Sequence, residues 1–306
     1  MNRIILFMFL AFGVINSQTF RFLNLETSPR AAALGGTFVA NTNDVNVMFY
    51  NPAGIAKLTA TPVSTSYLMH LEEINSAYVV GSRFFEGYGR FAASVQYVNY
   101  GTFTKADEYG NQTGEFGASD LAIAAGYGNE LGENFYYGIS LKFIYSGIDS
   151  YSSTAIASDL GLMYILPETK WSFGFSVLNL GTQLTSYISE TEKLPLNVRL
   201  GFSKQLEHLP LTFYASLNKI NETNDEFSQI FDRWTLGGEF RFSQSVSLRV
   251  GYDNEKRNEL SLGESAGLAG FNVGFGVFVK LYQVDYAFSS FGPVGSVHRF
   301  GISTSF

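Results

Sequence analysis

Strict two-residue alternation, sustained for more than ten residues, constrains this chain more than any other feature. In FYYGISLKFIYSG (residues 135–147), Phe135, Tyr137, Ile139, Leu141, Phe143 and Tyr145 share one face and Gly138, Ser140, Lys142 and Ser146 the other. A period of two is a strand. WTLGGEFRFS sets Trp234, Leu236, Phe240 and Phe242 against Thr235, Gly237, Glu239 and Arg241, and VSLRVGYDN sets Val246, Leu248, Val250 and Tyr252 against Ser247, Arg249, Gly251 and Asp253. A dry sandwich core would penalise unpaired charges on its inner face. Charges beside glycines suit a polar lumen, with the apolar face turned to lipid.

The first residues, MNRIILFMFLAFGVINSQ, place Arg3 before an apolar run from Ile4 to Ile15, closed by Asn16 and Ser17. This is the pattern of a secretory signal peptide over 1–17, with cleavage expected after Ser17; a spanning helix needs about 20 apolar residues. There is no cysteine, which excludes a lipoprotein anchor, disulfides and thiolate metal sites. A net charge of −7 makes nucleic acid an unsuitable partner. Export, 16% aromatic residues and 31 glycines favour a transmembrane β-barrel over the competing secreted β-sandwich.

About fourteen alternating segments fit between residues 62 and 306, predicting an all-β, fourteen-stranded antiparallel barrel over 61–306. Tight connections such as EGYGR, NELGEN and LPETK alternate with long ones at 99–117, 180–193, 219–231 and 255–267. Short inner turns and long outer loops give this rhythm, with both termini then periplasmic. The last strand carries His298, Phe300, Ile302, Thr304 and terminal Phe306 on one face, and Phe300, Ile302 and Phe306 form a candidate barrel-insertion signal. Trp171, Trp234, Tyr136, Tyr137 and Tyr286 are expected in interfacial aromatic girdles.

Residues 18–60 lack long alternation. Small residues from Ala31 to Ala33, with Gly35 and Gly36, allow close backbone packing inside a lumen, and Asn51-Pro52 forces a turn. The segment reads as a plug, with Arg30, Gly35, Gly36, Asp44, Asn51, Pro52 and Gly54 as its structural residues; a periplasmic arm is the other reading.

Chemistry is not expected. GESAG (263–267), followed by Asp285 and His298, matches a nucleophile-elbow order but lacks the strand-to-helix context that the motif needs. GYGNELG has the wrong glycine spacing for a dinucleotide loop. His70, His208 and His298 are scattered, and Glu72, Glu73, Asp107 and Glu108 read as solvated acids, with calcium the alternative. Tyr109 and Tyr187 could form a sugar platform. No catalytic, cofactor or metal residue is assigned.

FRFLNLETSPRAAALGG, VNYGTFTKADEYGNQTGEFGASDLA, YSSTAIASDLGLMY, VLNLGTQLTSY, EKLPLNVRLGFS and the early NPAG resemble the PorV/PorQ family of the type IX secretion system, its PorQ branch most closely, within the FadL-like barrel superfamily. The resemblance implies an outer-membrane component of the attachment complex that holds a PorZ-like surface protein, with PorU and PorV in the same complex and lipid or lipopolysaccharide around it. Alternatives are FadL-like transport of hydrophobic compounds and a PorV-like cargo shuttle. The rim offers Phe103, Lys105, Asp107, Glu108 and Tyr109 as a candidate partner-binding loop.

Overall fold

The computed structural model describes residues 20–70, 74–107, 109, 111–188, 191–222, 227–260 and 267–306. Fourteen antiparallel strands close into a barrel: β1 Pro62–Met69, β2 Asn75–Phe85, β3 Gly89–Ala106, β4 Gln112–Gly132, β5 Phe135–Ile148, β6 Tyr151–Leu166, β7 Trp171–Thr185, β8 Asn197–Gln205, β9 Leu211–Leu217, β10 Trp234–Arg241, β11 Val246–Asp253, β12 Phe271–Val279, β13 Tyr282–Ser290 and β14 Ser296–Ser305. Each strand pairs with its sequence neighbours, and β1 closes on β14 in a register running from Pro62 opposite Ser305 to Met69 opposite His298. Closure pairs every wall strand on both sides, as hydrocarbon surroundings require.

The alternation read from the sequence is the in/out pattern of the wall. Along β5, Leu141 is 65% exposed and Phe143 48%, while Ser140, Lys142 and Ile144 on the other face are buried. The exposed face forms an apolar belt edged by aromatic rings. Tyr127 and Tyr137 lie 6.1 Å apart near the end that carries the short turns, and Trp234 and Tyr252 5.2 Å apart near the other. One expected girdle residue is misplaced: Tyr136 points inward and is buried, where Lys57 Nζ stands 5.4 Å from its ring centre. Its neighbour Tyr137 takes the outward position, because two adjacent strand residues cannot share a face.

The turn end carries connections 86–88, 133–134, 167–170, 206–210, 242–245 and 280–281; the loop end carries 70–74, 107–111, 149–150, 186–196, 218–233, 254–270 and 291–295. Asn134, at φ 64°, supplies the left-handed residue of a two-residue turn.

The connection expected at 99–117 is mostly strand. After a bulge between Asn99 and Thr102, β3 and β4 stay paired from Thr102 opposite Gly117 to Ala106 opposite Gln112. Both faces of this ribbon are largely exposed, so it carries no burial alternation for a sequence reading to detect. Strand β7 likewise runs on to Thr185, past a bulge at Asn179 (φ 61°). The connection after β11 contains a short helix, α2 (Asn254–Glu259), capped by the Asp253 carboxylate accepting from Lys256 N.

Candidate functional site

Residues 20–60 run through the barrel interior. Phe20 and Phe22 pack with Val98, Ala122, Ile144 and Leu194 at the loop end; Asn41, Thr42 and Asn43 line cavities at the turn end beside Lys170, Gln205 and Thr212. Phe306 is also at the turn end, where its N–H donates to Thr61 O. Phe20, where the described residues begin, therefore lies on the side opposite Phe306. The segment spends its first twenty residues crossing the lumen before it turns back into β1.

Local chemistry fixes this path. Helix α1 (Pro29–Ala33) starts with Pro29 in its first turn and Ser28 Oγ accepting from Ala31 N. It ends at Gly35 and Gly36, both left-handed at φ 71° and 81°, with Gly36 N–H donating back to Ala31 O. A Cβ at Gly35 would stand 3.0 Å from the backbone N and O of Tyr252, and one at Gly251 would overlap the backbone of Leu34 and Gly35. Two glycines thus let segment and wall meet backbone to backbone.

Asp44 caps the turn over 45–49, its Oδ1 accepting from Asn46 N at 2.9 Å. Fully buried Asn51 donates from Nδ2 to Val39 O at 2.8 Å and to Leu162 O at 3.0 Å, while its Oδ1 accepts from Ala53 N at 3.1 Å. Pro52 opens the turn over 52–57 against Gly138 and Gly161 of the wall, and a Cβ at Gly54 would stand 2.9 Å from Asn41 O.

Charges join the segment to the wall. Arg30 Nε donates to Glu239 Oε2 at 2.9 Å and Nη1 to Asn43 Oδ1 at 2.9 Å; Arg249 stands 3.6 Å from Glu239 and 2.5 Å from Asp285. Nearer the loop end, Glu26 lies 2.6 Å from Lys256 and 3.5 Å from Arg299. Burial pushes the Glu26 carboxyl up, but Lys256 and Arg299 outweigh it and hold the group down at about 2. The sequence reading named Arg30 and Asp44 in the segment and placed Glu239 and Arg249 on the lumen face of their strands, but did not single out Glu26, Lys256 or Arg299.

The candidate partner-binding residues are spread along the ribbon. Phe103 stacks on Phe116 at 5.3 Å, Lys105 pairs with Asp149 at 2.7 Å, and Asp107 accepts from Tyr109 N and Asn111 N, both at 2.9 Å. Tyr109 is 81% exposed, and Glu108 lies outside the described residues. Phe300 and Ile302 face outward, and Phe306 is exposed. Glu72, Glu73 and residues 263–266 also lie outside the described residues. Asp285 faces inward to Arg249, whereas His298 Nδ1 lies 2.8 Å from the Tyr286 hydroxyl on the outer face, so the two stand on opposite sides of the wall. Among the described residues, no group of three potential metal ligands comes together.

The cavities differ in character. Around the segment at the turn end are polar or mixed spaces of about 420 and 210 Å³. A cleft of about 330 Å³ opens at the loop end between Phe20, Tyr100, Phe103 and Tyr187. A groove of about 550 Å³ lies on the outer face of β7–β10, lined by Phe173, Leu200, Phe202 and Leu236.

No family model and no curated protein matches the sequence. Solved structures do match. The Pseudomonas putida toluene transporter TodX superposes with a TM-score of 0.59 at 14% identity, covering 94% of this chain and 99% of that one. A Pseudomonas aeruginosa FadL homologue superposes with a TM-score of 0.56 at 10% identity, covering 92% and 98%. The fold is that of the FadL-like barrels. At these identities the likeness is one of fold, spanning nearly the whole of each FadL-like chain.

Proposed function

We propose that this FadL-like barrel resides in the outer membrane as a scaffold that holds a protein partner at the cell surface, in the manner of the PorV/PorQ family. The observation that carries the reading is the paired ribbon of β3 and β4 beyond the common wall. Pairing with β2 ends at Asn75 opposite Asn99, and pairing with β5 ends at Ala118 opposite Ile148, so past those points the ladder continues between β3 and β4 alone, braced at its base by Asp149. Two largely exposed faces and two open edges, extending about 20 Å, make a docking surface that needs no lumen. The sequence resemblance implies a PorZ-like partner, with PorU and PorV associated.

Transport of hydrophobic compounds is the second reading. The fold comparisons lean toward it, since TodX is named a toluene transporter, and the apolar groove on β7–β10 gives it a specific observation. Against it stands the interior, crossed by a segment tied through Arg30, Asn51 and Glu26.

Replacing residues 100–116 by a tight turn separates the readings. The scaffold reading expects a heat-modifiable barrel still in the membrane and the surface partner released into the medium. A partner retained after all four long connections are trimmed in turn contradicts it. Loss of toluene uptake in a strain lacking the protein supports transport instead.

A further inference from the structure

The loop-end cleft holds a buried carboxylate that, among the described residues, is paired with no cationic side chain. Asp120, on an inward position of β4, is 6% exposed. Its Oδ2 accepts from the Tyr100 hydroxyl at 2.6 Å and its Oδ1 from Ser146 Oγ, which in turn accepts from the Tyr187 hydroxyl at 2.6 Å. Among the described residues no Lys, Arg or His nitrogen lies within 4.0 Å of it. Other acids in this lumen, including half-buried Glu26 and buried Glu239, Asp159 and Asp285, have such a partner. An unpaired charge in such a place is costly.

The surroundings match what is missing. Each carboxylate oxygen has accepted one hydroxyl and retains a further lone pair. Phe20, Tyr100, Phe103 and Tyr187 wall the cleft with aromatic rings, whose faces attract cations. Its volume of about 330 Å³ sits at the small end of ligand sites. Arg21 also stands at the cleft; its exposure to solvent weakens its repulsion of a bound cation without abolishing it.

We propose that the cleft binds a small organic ammonium ion with an apolar body, the ammonium directed at Asp120 and the body held between the rings. The site does not depend on the scaffold reading, because it requires neither a protein partner nor passage through the wall.

The test uses full-length protein purified in a non-ionic detergent, with benzylammonium as probe and benzyl alcohol as its neutral counterpart, followed by calorimetric titration. Benzylammonium should bind saturably and at least tenfold more tightly than the alcohol. Asp120→Asn should weaken it tenfold or more, and Arg21→Gln should strengthen it, with heat-modifiability as the folding control. If Asp120→Asn does not fold, the opposite responses to Arg21→Gln and Phe103→Ala, both at exposed positions, carry the test: tighter in the first, weaker in the second. Equal binding of alcohol and ammonium overturns the proposal, as does no saturable binding of either, or indifference of benzylammonium to these substitutions.

Discussion

At the scale of single residues, the contact between segment and wall depends on positions that tolerate no side chain. Gly35 combines a left-handed backbone with a Cβ direction that runs into the Tyr252 main chain. A main chain paired in a ladder yields less readily than a flexible side-chain tip. Gly35→Trp should therefore destabilise the barrel by at least about 1–3 kcal/mol, the usual cost of overpacking, seen as a lower midpoint for conversion of the fast-migrating to the slow-migrating band on heating. Arg30 gives a complementary test. Arg30→Met leaves buried Glu239 facing, within 4.0 Å among the described residues, just the more distant Arg249, and should cost about 3 kcal/mol, the low end for a broken buried pair. Adding Glu239→Gln should recover part of that loss in the same assay, since the stranded charge is gone.

At the scale of elements, the clasp between Glu26 of the segment and Lys256 of α2 makes stability depend on pH. The folded carboxyl titrates at about 2, below its ordinary value of 4.5, so the unfolded chain binds more protons between those limits. The contribution is complete above about pH 4.5 and is lost as pH falls toward 2. Denaturation midpoints followed across this window should fall more steeply in the parent than in Glu26→Gln; parallel curves would argue that the clasp is not formed. Elements also show what a sequence reading can recover. Wall strands such as β5 were legible because lipid and lumen impose opposite demands on alternate residues. The ribbon past Asn99 was not, because water meets both its faces and removes the contrast. The pairing of Glu26 with Lys256 and Arg299 was hidden for another reason: the partners lie 230 and 273 positions apart, and only closure of the barrel brings them together.

At the scale of the whole molecule, a closed wall, an apolar outer belt and an interior crossed by its own N-terminal segment describe a membrane barrel whose free protein surface is concentrated at the loop end. The protein should resist extraction by alkaline carbonate and migrate faster unboiled than boiled; recovery in a soluble periplasmic fraction would contradict membrane residence. Closure and strand number were legible from alternation and turn spacing. The position of Phe20 at the loop end was not, because small-residue composition signals close packing without giving the direction of travel.

Affinity purification of the chain from native membranes, with quantitation of co-purifying protein, tests the proposed scaffold role. One surface-exposed protein in stoichiometric amount is expected with the parent, and its absence with the variant trimmed at 100–116. A barrel that purifies intact with no stoichiometric protein partner, or retains the partner after the ribbon and the other long connections are trimmed, would contradict it.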